Sequence, residues 1–503
     1  MTPTPTVPLS NVDVVRGFQG LRALVIGDAM LDTYLEGTAT RLCKEGPVPV
    51  VRKVAEECAP GGAANAAANL AALGADVVFV GLIGRDDAGA RLRASLRERG
   101  VDDGWLVEDD AVGTLHKLRV LANGQYVVRF DEGETRGGSA AGQDALRARV
   151  GEAFARCDLV VVPDYGYGVA SDAMIARLRV LRTAQPRLLA VDSKEIRRFA
   201  SIGATIVTPN LQEARLAVDP LAPPDQVLSV DDARLVARRL RGMLDAEQVA
   251  VTLAGDGVLL LSRAGGECHL PAHPVARAGD VGAGDSFTAA TALALASGAP
   301  AEQAARIGID AAAIAITRQR TSVVPYQELL RRASLADQAI GPSWKELATR
   351  LDAARFGGQR VVFTNGVYDI LHVGHVQLLR RAKALGDILV VGINSDASTR
   401  RLKGPTRPIN READRLALVS ALDAVDHAVL FSEDTPADLI RALRPDVHVK
   451  GGDYIADELP EIDAVREVGA RVEILSLVEG RSTTNVIQQI ATLVQDGAIG
   501  AAP

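Results

Sequence analysis

The sequence predicts an α/β protein of two domains, and three observations support this fold class. The chain has 503 residues, 48% hydrophobic and 24% charged, which is typical of globular protein with several cores. Short apolar runs alternate with helical patterns, the arrangement of mostly parallel sheets covered by helices. Glycine-rich stretches, 279–287 and 363–375, join an extended segment to a helix in each half. Helix N-termini of this kind bind phosphate groups, so we expect two phosphate-handling sites.

The domain organisation follows from a break in the pattern near residue 340, where Gly341 and Pro342 indicate a turn. We predict four segments: a disordered tail over 1–14, a first domain over 15–335, a linker and connecting helix over 336–356, and a second domain over 357–503.

Composition excludes several classes of function. The net charge of −7, with no basic block, argues against a nucleic-acid partner. There is no apolar run of about eighteen residues, so no membrane span is expected. The N-terminus lacks the pattern of a signal peptide. The four cysteines are scattered without a C-x-x-C motif, which is typical of reduced thiols in a cytoplasmic protein.

Two histidines at a predicted helix start carry the sharpest signal in the second half. His372 and His375 flank Gly374 directly after an apolar strand at 361–364. Backbone N–H groups there favour an anion, and two imidazoles can donate to a phosphate whose charge grows in a transition state. Surface histidines are one alternative. A zinc site is another, but no Cys, Asp or Glu follows at ligand spacing on the same helix.

The stretch Asp369-x-x-His372-x-Gly374-His375 resembles the HxGH signature of nucleotidyltransferases with the Rossmann-like cytidylyltransferase fold. Tyr368 stands where that family usually has Phe. The resemblance implies catalytic roles for His372, His375 and Lys403. The nucleotide-binding residues that it implies are Asn365, Gly366, Asp369, Gly374, Asp396, Arg407, Lys450, Gly451, Asp453, Arg481, Ser482 and Thr483. We expect the cations among them in connecting loops, where solvated side chains are the alternative.

Polar residues follow the first predicted strand, 22–26, at the edge where open α/β sheets bind ligands. Asp28 and Asp32 are placed there in a loop, although such aspartates are often solvated or capping. Gly61 and Gly62 then lead into an alanine-rich helix, whose first turn would present Asn65 to a ligand. A tightly packed helix that merely starts with glycine is the alternative.

A hairpin is predicted around Asn123-Gly124. Lys117 and Arg119 share one face of its first strand. They would face either an anionic substrate or water.

Small residues open a helix at Gly282-Ala283-Gly284-Asp285. Consecutive N–H groups there can hold a moving phosphoryl group, and a carboxylate in the same turn can accept the proton of an attacking hydroxyl. We therefore expect Asp285 to be a general base. An aspartate that merely complements the helix dipole is the alternative.

These stretches together resemble the ribokinase-like (PfkB) sugar kinases, an α/β fold with a small β lid, over about residues 15 to 330. The resemblance implies a kinase nucleotide site formed by Lys194, Asn210, Leu211, Gln212, Glu213, Thr252, Gly255, Gly257, Gly282, Ala283 and Gly284. It implies a sugar site formed by Asp28, Asp32, Gly61, Gly62, Asn65, Lys117, Arg119 and Asp164. Two residues depart from the family pattern. Gly279 stands where the family commonly has an acidic or polar residue, and Tyr167 stands where it has a Lys.

The two halves together resemble the bifunctional heptose kinase/adenylyltransferases of ADP-heptose synthesis. This implies ATP and Mg²⁺ as cofactors, a heptose 7-phosphate phosphorylated at O1, and adenylyl transfer from ATP to heptose 1-phosphate. A separate phosphatase would act between the steps. No metal-ligating set is predicted, and a homodimer is expected by analogy. Two alternatives stay open: another sugar or polyol kinase joined to a CTP-dependent transferase, and a regulatory protein with an inactive kinase domain, which the position of Asp280 would suggest.

Overall fold

The structure, a computed structural model, describes residues 9–133, 137–223, 228–273, 275, 279, 282–318, 320–321, 323–340, 344–452 and 454–476. The chain forms two compact units that meet in sequence between Ala333 and Ser334, close to the predicted boundary. Among the described residues, no helix combines the length and the apolar character that crossing a bilayer requires.

The first unit contains fourteen strands in its described residues. They are β1 (Arg22–Ile26), β2 (Ala29–Leu42), β3 (Pro49–Gly62), β4 (Asp76–Val80), β5 (Leu82–Ile83), β6 (Val107–Glu108), β7 (Leu115–Ala122), β8 (Gln125–Glu132), β9 (Leu159–Asp164), β10 (Leu188–Ser193), β11 (Ile206–Val207), β12 (Gln248–Thr252), β13 (Val258–Ser262) and β14 (Glu267–Leu270). Its helices are α1 (Asn11–Arg16), α2 (Ala63–Ala72), α3 (Asp87–Glu98), α4 (Ala140–Phe154), α5 (Asp172–Ala184), α6 (Leu211–Val218), α7 (Val230–Met243), α8 (Ala283–Ala296) and α9 (Ala301–Ala315), while α10 (Tyr326–Ile340) crosses the division between the units.

Eight strands form the main sheet, in the order β14-β13-β12-β11-β10-β9-β1-β4. The sheet is parallel from β4 to β12, and β13 and β14 add antiparallel strands at one edge. Its strands are apolar on both faces because both faces are covered. In β1, Ala23 and Val25 enter one hydrophobic core, whereas Leu24 and Ile26 enter the other. The predicted α/β fold is confirmed.

A separate four-stranded sheet, in the order β3-β2-β7-β8, is the predicted lid. The chain passes directly from the main sheet into the lid, because β2 begins three residues after β1 ends. Asp32 therefore lies within a lid strand and not in a loop, which corrects the expectation for that residue. Gly62 joins the lid to α2 with a φ of 57°, in the left-handed region that favours glycine.

The second unit is built on the strands β15 (Val361–Gly366), β16 (Ile388–Asn394), β17 (His427–Phe431), β18 (Val447–Gly451) and β19 (Arg471–Leu475). Its described helices are α11 (Trp344–Phe356), α12 (Val373–Lys383), α13 (Asp396–Lys403), α14 (Glu412–Ser420), α15 (Ala437–Leu443) and α16 (Ile462–Glu467). All five strands are parallel, in the order β17-β16-β15-β18-β19. The chain winds outward in both directions from β15, so the ligand crevice is expected beyond the carboxyl ends of β15 and its neighbours.

Several predicted segments need correction. Residues 11–14 belong to α1, with Val14 and Val15 fully buried, so they are not a disordered tail; residues 1–8 lie outside the described residues. Residues 336–340 continue α10 and are not a linker, whereas the predicted connecting helix is α11. The helix α13 was not predicted, and Lys403 is its last residue. Lys450 lies within β18, not in a loop. Residues 477–503, the end of the predicted second domain, lie outside the described residues.

Candidate active sites

The N-terminus of α8 carries the candidate base of the first unit. Gly282 precedes the helix with a φ of 83°, and Asp285 lies in the first turn with only 6% of its surface exposed. Each carboxylate oxygen of Asp285 accepts one hydrogen bond from a described residue. The Asn65 Nδ2 atom donates to Oδ2 at 2.7 Å, and the Tyr165 hydroxyl donates to Oδ1 at 2.8 Å.

This environment sets the basicity of Asp285. Burial raises its pKa to about 6, with a small contribution from the charge of Asp32, while the bonds from Asn65 and Tyr165 act in the opposite direction. A carboxylate with such a pKa is ionised at neutral pH and is more basic than an exposed aspartate. It is therefore suited to accept a proton from a hydroxyl group.

Asn65 is held in place by a second asparagine one turn along α2. The Asn69 Nδ2 atom donates to the Asn65 carbonyl at 3.0 Å and to its Oδ1 atom at 3.2 Å. The Asn69 Oδ1 atom in turn accepts from the Ser286 hydroxyl and from the Val324 N–H, at 3.1 and 3.0 Å. The alanine-rich sequence of α2 lets it pack closely against α8, so the amide of Asn65 meets Asp285 directly. The sequence predicted the position of Asn65 but not this role of Asn69.

A cavity of about 200 Å³ opens beside Asp285 at the carboxyl edge of the main sheet. The residues that line it are Asp164, Tyr165, Asp192, Lys194, Thr208, Asn210, Glu213, Thr252, Gly282, Gly284 and Asp285. Seven of the predicted kinase residues besides the base thus come together here, from five different strand and helix ends.

Asp192 belongs to this cavity but was not among the predicted site residues. Burial raises its pKa well above the ordinary value, and the nearby carboxylates of Glu213 and Asp285 add to the effect. Burial also raises the pKa of Glu213. Carboxylates crowded in this way favour a cation between them. The sequence could have indicated Asp192, because it directly follows an apolar strand at the same sheet edge as Asp164.

Asn210 and Glu213 also form a capping box at the start of α6. The Glu213 N–H donates to Asn210 Oδ1, and the Asn210 N–H donates to Glu213 Oε2, both at 2.9 Å. Their side chains thus secure the helix end that borders the cavity. The predicted nucleotide residues Leu211 and Gln212 do not line it, since Leu211 packs on a hydrophobic core and Gln212 is exposed.

The glycine turn after β12 also lies outside the cavity lining. Gly257 has a φ of 94°, and a Cβ atom there would lie 2.0 Å from the Leu270 carbonyl oxygen. The β12–β13 hairpin therefore requires this glycine whether or not a nucleotide binds. Gly255 lies in the same turn.

The predicted sugar-site residues of the lid form an ion pair. The Arg119 Nη1 atom lies 2.7 Å from Asp32 Oδ1, and the Thr321 hydroxyl donates to Asp32 Oδ2 at 2.9 Å. A Cβ atom at Gly61 would lie 2.8 Å from the Asp32 carboxyl carbon, so only glycine fits against this pair. Lys117 makes no hydrogen bond or ion pair with a described residue. Burial lowers the pKa of Lys117.

Asp28 serves the protein itself. Its buried carboxylate accepts three backbone N–H groups, from Tyr165 at 2.9 Å, Tyr167 at 3.1 Å and Val169 at 3.2 Å. This holds the loop after β9, and Asp28 is not among the residues that line the cavity; its contact with sugar stays a prediction. Asp164 does line the cavity, and it accepts from the Ser193 hydroxyl at 2.7 Å.

The second unit brings the two predicted histidines into contact. His372 is the residue before α12, and its ring stacks on that of His375 with centroids 3.9 Å apart. The Nδ1 atoms of both rings are buried without a hydrogen-bond partner among the described residues. Tyr368 packs edge-on against His375 at 5.2 Å. Two buried, unpaired ring nitrogens at a helix N-terminus indicate a site that a ligand completes.

Both rings are neutral at pH 7. Burial lowers the pKa of His372, and burial together with the neighbouring His372 lowers the pKa of His375 to about 4. A neutral imidazole carries one N–H, so each ring can donate one hydrogen bond to a phosphate oxygen.

Lys450 is directed by a cluster of buried side chains. Its ammonium donates to Asn365 Oδ1 at 2.8 Å and lies 2.6 Å from Glu461 Oε1. The same oxygen is 3.0 Å from His448 Nε2, and both His448 and Glu461 are almost completely buried. Lys450 and Asn365 were predicted; Glu461 and His448 were not, because nothing in their spacing links them.

The loop that contains Arg407 is tied to Asp369. Asp369 Oδ1 accepts the N–H groups of Ile409 and Asn410 at 2.7 and 3.0 Å. Arg407 Nε lies 2.6 Å from Asp369 Oδ2 as an ion pair, without hydrogen-bond alignment. Lys403 is exposed at the end of α13 and makes no hydrogen bond with a described residue. Asp280, Asp453, Arg481, Ser482 and Thr483 lie outside the described residues.

Arg415 is fully buried beneath these segments and was not predicted. It donates to the carbonyls of Val367 and Asn394 at 2.6 and 2.7 Å, and to that of Asn410 at 3.0 Å. Its Nη2 atom also donates to Asp396 Oδ1 at 2.8 Å, so the carboxylate of Asp396 is committed to the protein. Among the described residues, no group of three or more His, Cys, Asp or Glu side chains is arranged to hold a metal ion.

Comparison with known proteins agrees with both sites. Residues 21–327 match the pfkB family carbohydrate kinase model, and residues 363–489 match the cytidylyltransferase-like model. The chain is 39% identical over 483 residues to the bifunctional protein HldE of Syntrophotalea carbinolica, covering 95% of this chain and 97% of that protein. It is 41% identical over 480 residues to HldE of Citrifermentans bemidjiense, covering 93% and 96%. The chain belongs to the HldE family.

Membership of the HldE family confirms the prediction of a bifunctional heptose kinase and adenylyltransferase, and neither alternative gains support. The first unit also resembles phosphofructokinase-2 from Escherichia coli, at 23% identity and a TM-score of 0.50, covering 63% of this chain and 99% of that one. A putative ribokinase from Agrobacterium tumefaciens matches at 20% identity and a TM-score of 0.50, with the same coverage. These likenesses confirm the ribokinase-like fold.

Proposed function

We propose that the first unit transfers the γ-phosphoryl group of ATP to O1 of a heptose 7-phosphate, with Asp285 as the base. The observation that carries the proposal is the buried carboxylate of Asp285, held by two donors at the N-terminus of α8 beside the cavity. The anomeric hydroxyl gives its proton to Asp285 as its oxygen attacks the γ-phosphorus, and the bond from phosphorus to the β-phosphate oxygen breaks. The N–H groups at the start of α8 face the charge that develops.

Charged residues around the cavity support this proposal. Asp192 and Glu213, whose raised pKa values reflect burial and, at Asp192, nearby carboxylates, fit a hydrated Mg²⁺ bound with ATP. Such an ion would neutralise phosphate charge. Lys194 lies at the cavity and Lys117 lies near it on the lid, so both can attract the phosphates of ATP or sugar. Arg119 is already neutralised by Asp32, and we assign it a supporting role in the lid.

We propose that the second unit joins the sugar 1-phosphate to the α-phosphate of ATP and releases pyrophosphate. The neutral rings of His372 and His375 donate N–H groups to phosphate oxygens as negative charge spreads over them. Lys450 contributes a cation at the carboxyl end of β18. Lys403 and Arg407, on the segment after β16, are proposed as further phosphate contacts.

The experiment that tests both assignments is phosphorus NMR of the whole chain with Mg²⁺ and ATP. D-glycero-β-D-manno-heptose 7-phosphate tests the first unit, and the corresponding 1-phosphate tests the second. Asp285→Asn should lower the kinase rate by about 10²–10⁴-fold and leave adenylyl transfer unchanged. His375→Ala should lower the rate of adenylyl transfer and leave the kinase rate unchanged. No anomeric phosphate signal from the wild-type protein would refute the proposed sugar, and equal loss of both activities in either variant would refute the assignment of the residues.

We further propose a cytoplasmic homodimer that pairs through the lid. The strand β8 is the edge of the lid sheet and is exposed along its length. Val127, Val128 and Phe130 are 40%, 42% and 52% exposed on it, and such apolar edges favour pairing with another strand. Light scattering should give twice the mass of 52.9 kDa, and Val128→Lys should give the monomer. A monomeric wild-type protein would refute the pairing. The need for ATP supports the cytoplasm.

A further inference from the structure

We propose that Tyr165 is a positioning residue for the base of the kinase reaction, with its hydroxyl holding the Asp285 carboxylate and keeping it ionised, and with Asp28 fixing the loop that presents it. This inference rests on the proposed role of Asp285. Tyr165 was not among the predicted site residues, and it lies in the loop directly after β9.

The first step of the argument is the distribution of donors on Asp285. Oδ1 accepts only from the Tyr165 hydroxyl, at 2.8 Å, and Oδ2 accepts only from Asn65, at 2.7 Å, among the described residues. Each oxygen keeps one lone pair for the hydroxyl of a substrate. The two donors fix the plane of the carboxylate, and a hydrogen bond donated to a carboxylate favours its ionised form.

The second step is the rigidity of the donor. The Tyr165 N–H donates to Asp28 Oδ2 at 2.9 Å, and the N–H groups of Tyr167 and Val169 donate to the same carboxylate. Three bonds to one buried side chain hold the backbone of the loop. The Tyr165 ring is also contacted by Lys194, whose ammonium lies 5.5 Å from the ring centroid. The hydroxyl is therefore presented to Asp285 from a fixed position.

The third step is the state of the tyrosine itself. Burial and the charges of Asp285 and Asp192 raise the pKa of Tyr165 well above its ordinary value, so its hydroxyl keeps its proton throughout the working pH range. It can therefore donate to Asp285 but cannot compete with it as a base. This separates the roles of the two residues, although both line the same cavity.

The test is the pH dependence of kinase kcat/KM, measured for the wild-type protein and Tyr165→Phe at saturating Mg²⁺-ATP. The variant keeps the ring and its contact with Lys194 but loses the donor. Loss of the donor should raise the pKa of Asp285, so the acid limb should move to higher pH by about one unit. The ionised fraction of Asp285 at low pH would then fall about tenfold, and the rate should recover above pH 8. Tyr454→Phe, the same substitution at an exposed tyrosine of the second unit, is the control and should leave the limb in place.

A second variant keeps the inference testable if Tyr165→Phe does not fold. Asp28→Asn preserves the shape of the side chain but weakens its three bonds, and it should move the acid limb in the same direction by a smaller amount. A rate that falls equally at every pH in both variants would overturn the inference. If the wild-type protein phosphorylates no sugar, the proposed function fails instead. If Asp285→Asn is inactive while Tyr165→Phe has the wild-type profile, only the inference fails.

Discussion

The Lys450 ammonium lies 2.6 Å from the carboxylate of Glu461, which is 2% exposed and also faces His448 at 3.0 Å. The bonds from His448 and Lys450 outweigh burial and lower the pKa of Glu461 to about 2. Burial, the largest influence on His448, lowers the pKa of that ring. Glu461 is therefore the anion that holds Lys450 at the end of β18.

We predict that Glu461→Gln destabilises the second unit by about 3 kcal/mol at pH 7, because it leaves the half-buried Lys450 without its anion. The lowered pKa gives the sign of the pH dependence. The stabilisation is fully present above the unfolded value of 4.5 and is lost as the pH falls toward 2. The difference between variant and wild type in urea unfolding should thus persist from pH 5 to 8 and shrink at pH 3. Glu467→Gln, at an exposed ion pair, is the control, and an equal effect there would contradict the prediction.

Gly282→Ala should lower kinase kcat about tenfold while leaving adenylyl transfer unchanged. A Cβ atom there would lie 2.9 Å from Asn65 Nδ2, which Asn69 holds in place, so the donor to Asp285 must shift. The φ of 83° adds backbone strain of about 1 kcal/mol. Gly298→Ala is a matched control at the other end of α8, with a φ of 88°; among the described residues, only the Leu9 side chain lies near it, at 3.9 Å. Similar kinase losses in both variants would mean that strain, not the asparagine, explains the effect.

The third prediction concerns the protonation of His375. Because burial and His372 lower its pKa to about 4, the ring should stay neutral from pH 5.5 to 8 in the free protein. Polyphosphate bound beside it favours the charged form, so pyrophosphate should raise the pKa. Histidine-selective NMR titration, with His375→Gln to assign the signal, measures both. A midpoint near 6.5 without ligand would contradict the buried, stacked geometry.

The sequence predicted the parts of the fold and sites that depend on local pattern. The parallel strands of the two main sheets followed from apolar runs, and Asp285 and the His372–His375 pair followed from glycine-rich helix starts. Each of these motifs is formed by residues that are adjacent in the sequence, because a helix N-terminus and the side chains on it lie within a few residues of one another. Such motifs can therefore be recognised without knowing the fold. The helix α13 was missed because it is short and strongly polar, so no apolar periodicity marks it.

Roles that depend on residues distant in sequence could not be predicted. Asp28 was expected to contact sugar, but its partners are backbone groups of a loop more than a hundred residues later. Glu461 and Arg415 belong to the second site only because the strand order places them there. In each case the sequence shows the charged side chain, but it does not show which residue that side chain contacts in the fold.

Arg415→Lys should destabilise the second unit by about 3–5 kcal/mol and raise the KM for ATP in adenylyl transfer, with kinase parameters unchanged. The fully buried guanidinium bonds three carbonyls and the Asp396 carboxylate, and an ammonium cannot reach all four from one position. The Val367 carbonyl follows β15 and the Asn394 carbonyl ends β16, so the crevice should widen where the nucleotide is expected. Calorimetry and steady-state kinetics measure the two effects.

Arg401→Lys, at the exposed ion pair with Asp434, is the control and should change little. If Arg415→Lys unfolds no more easily than Arg401→Lys, the buried network does not support the site.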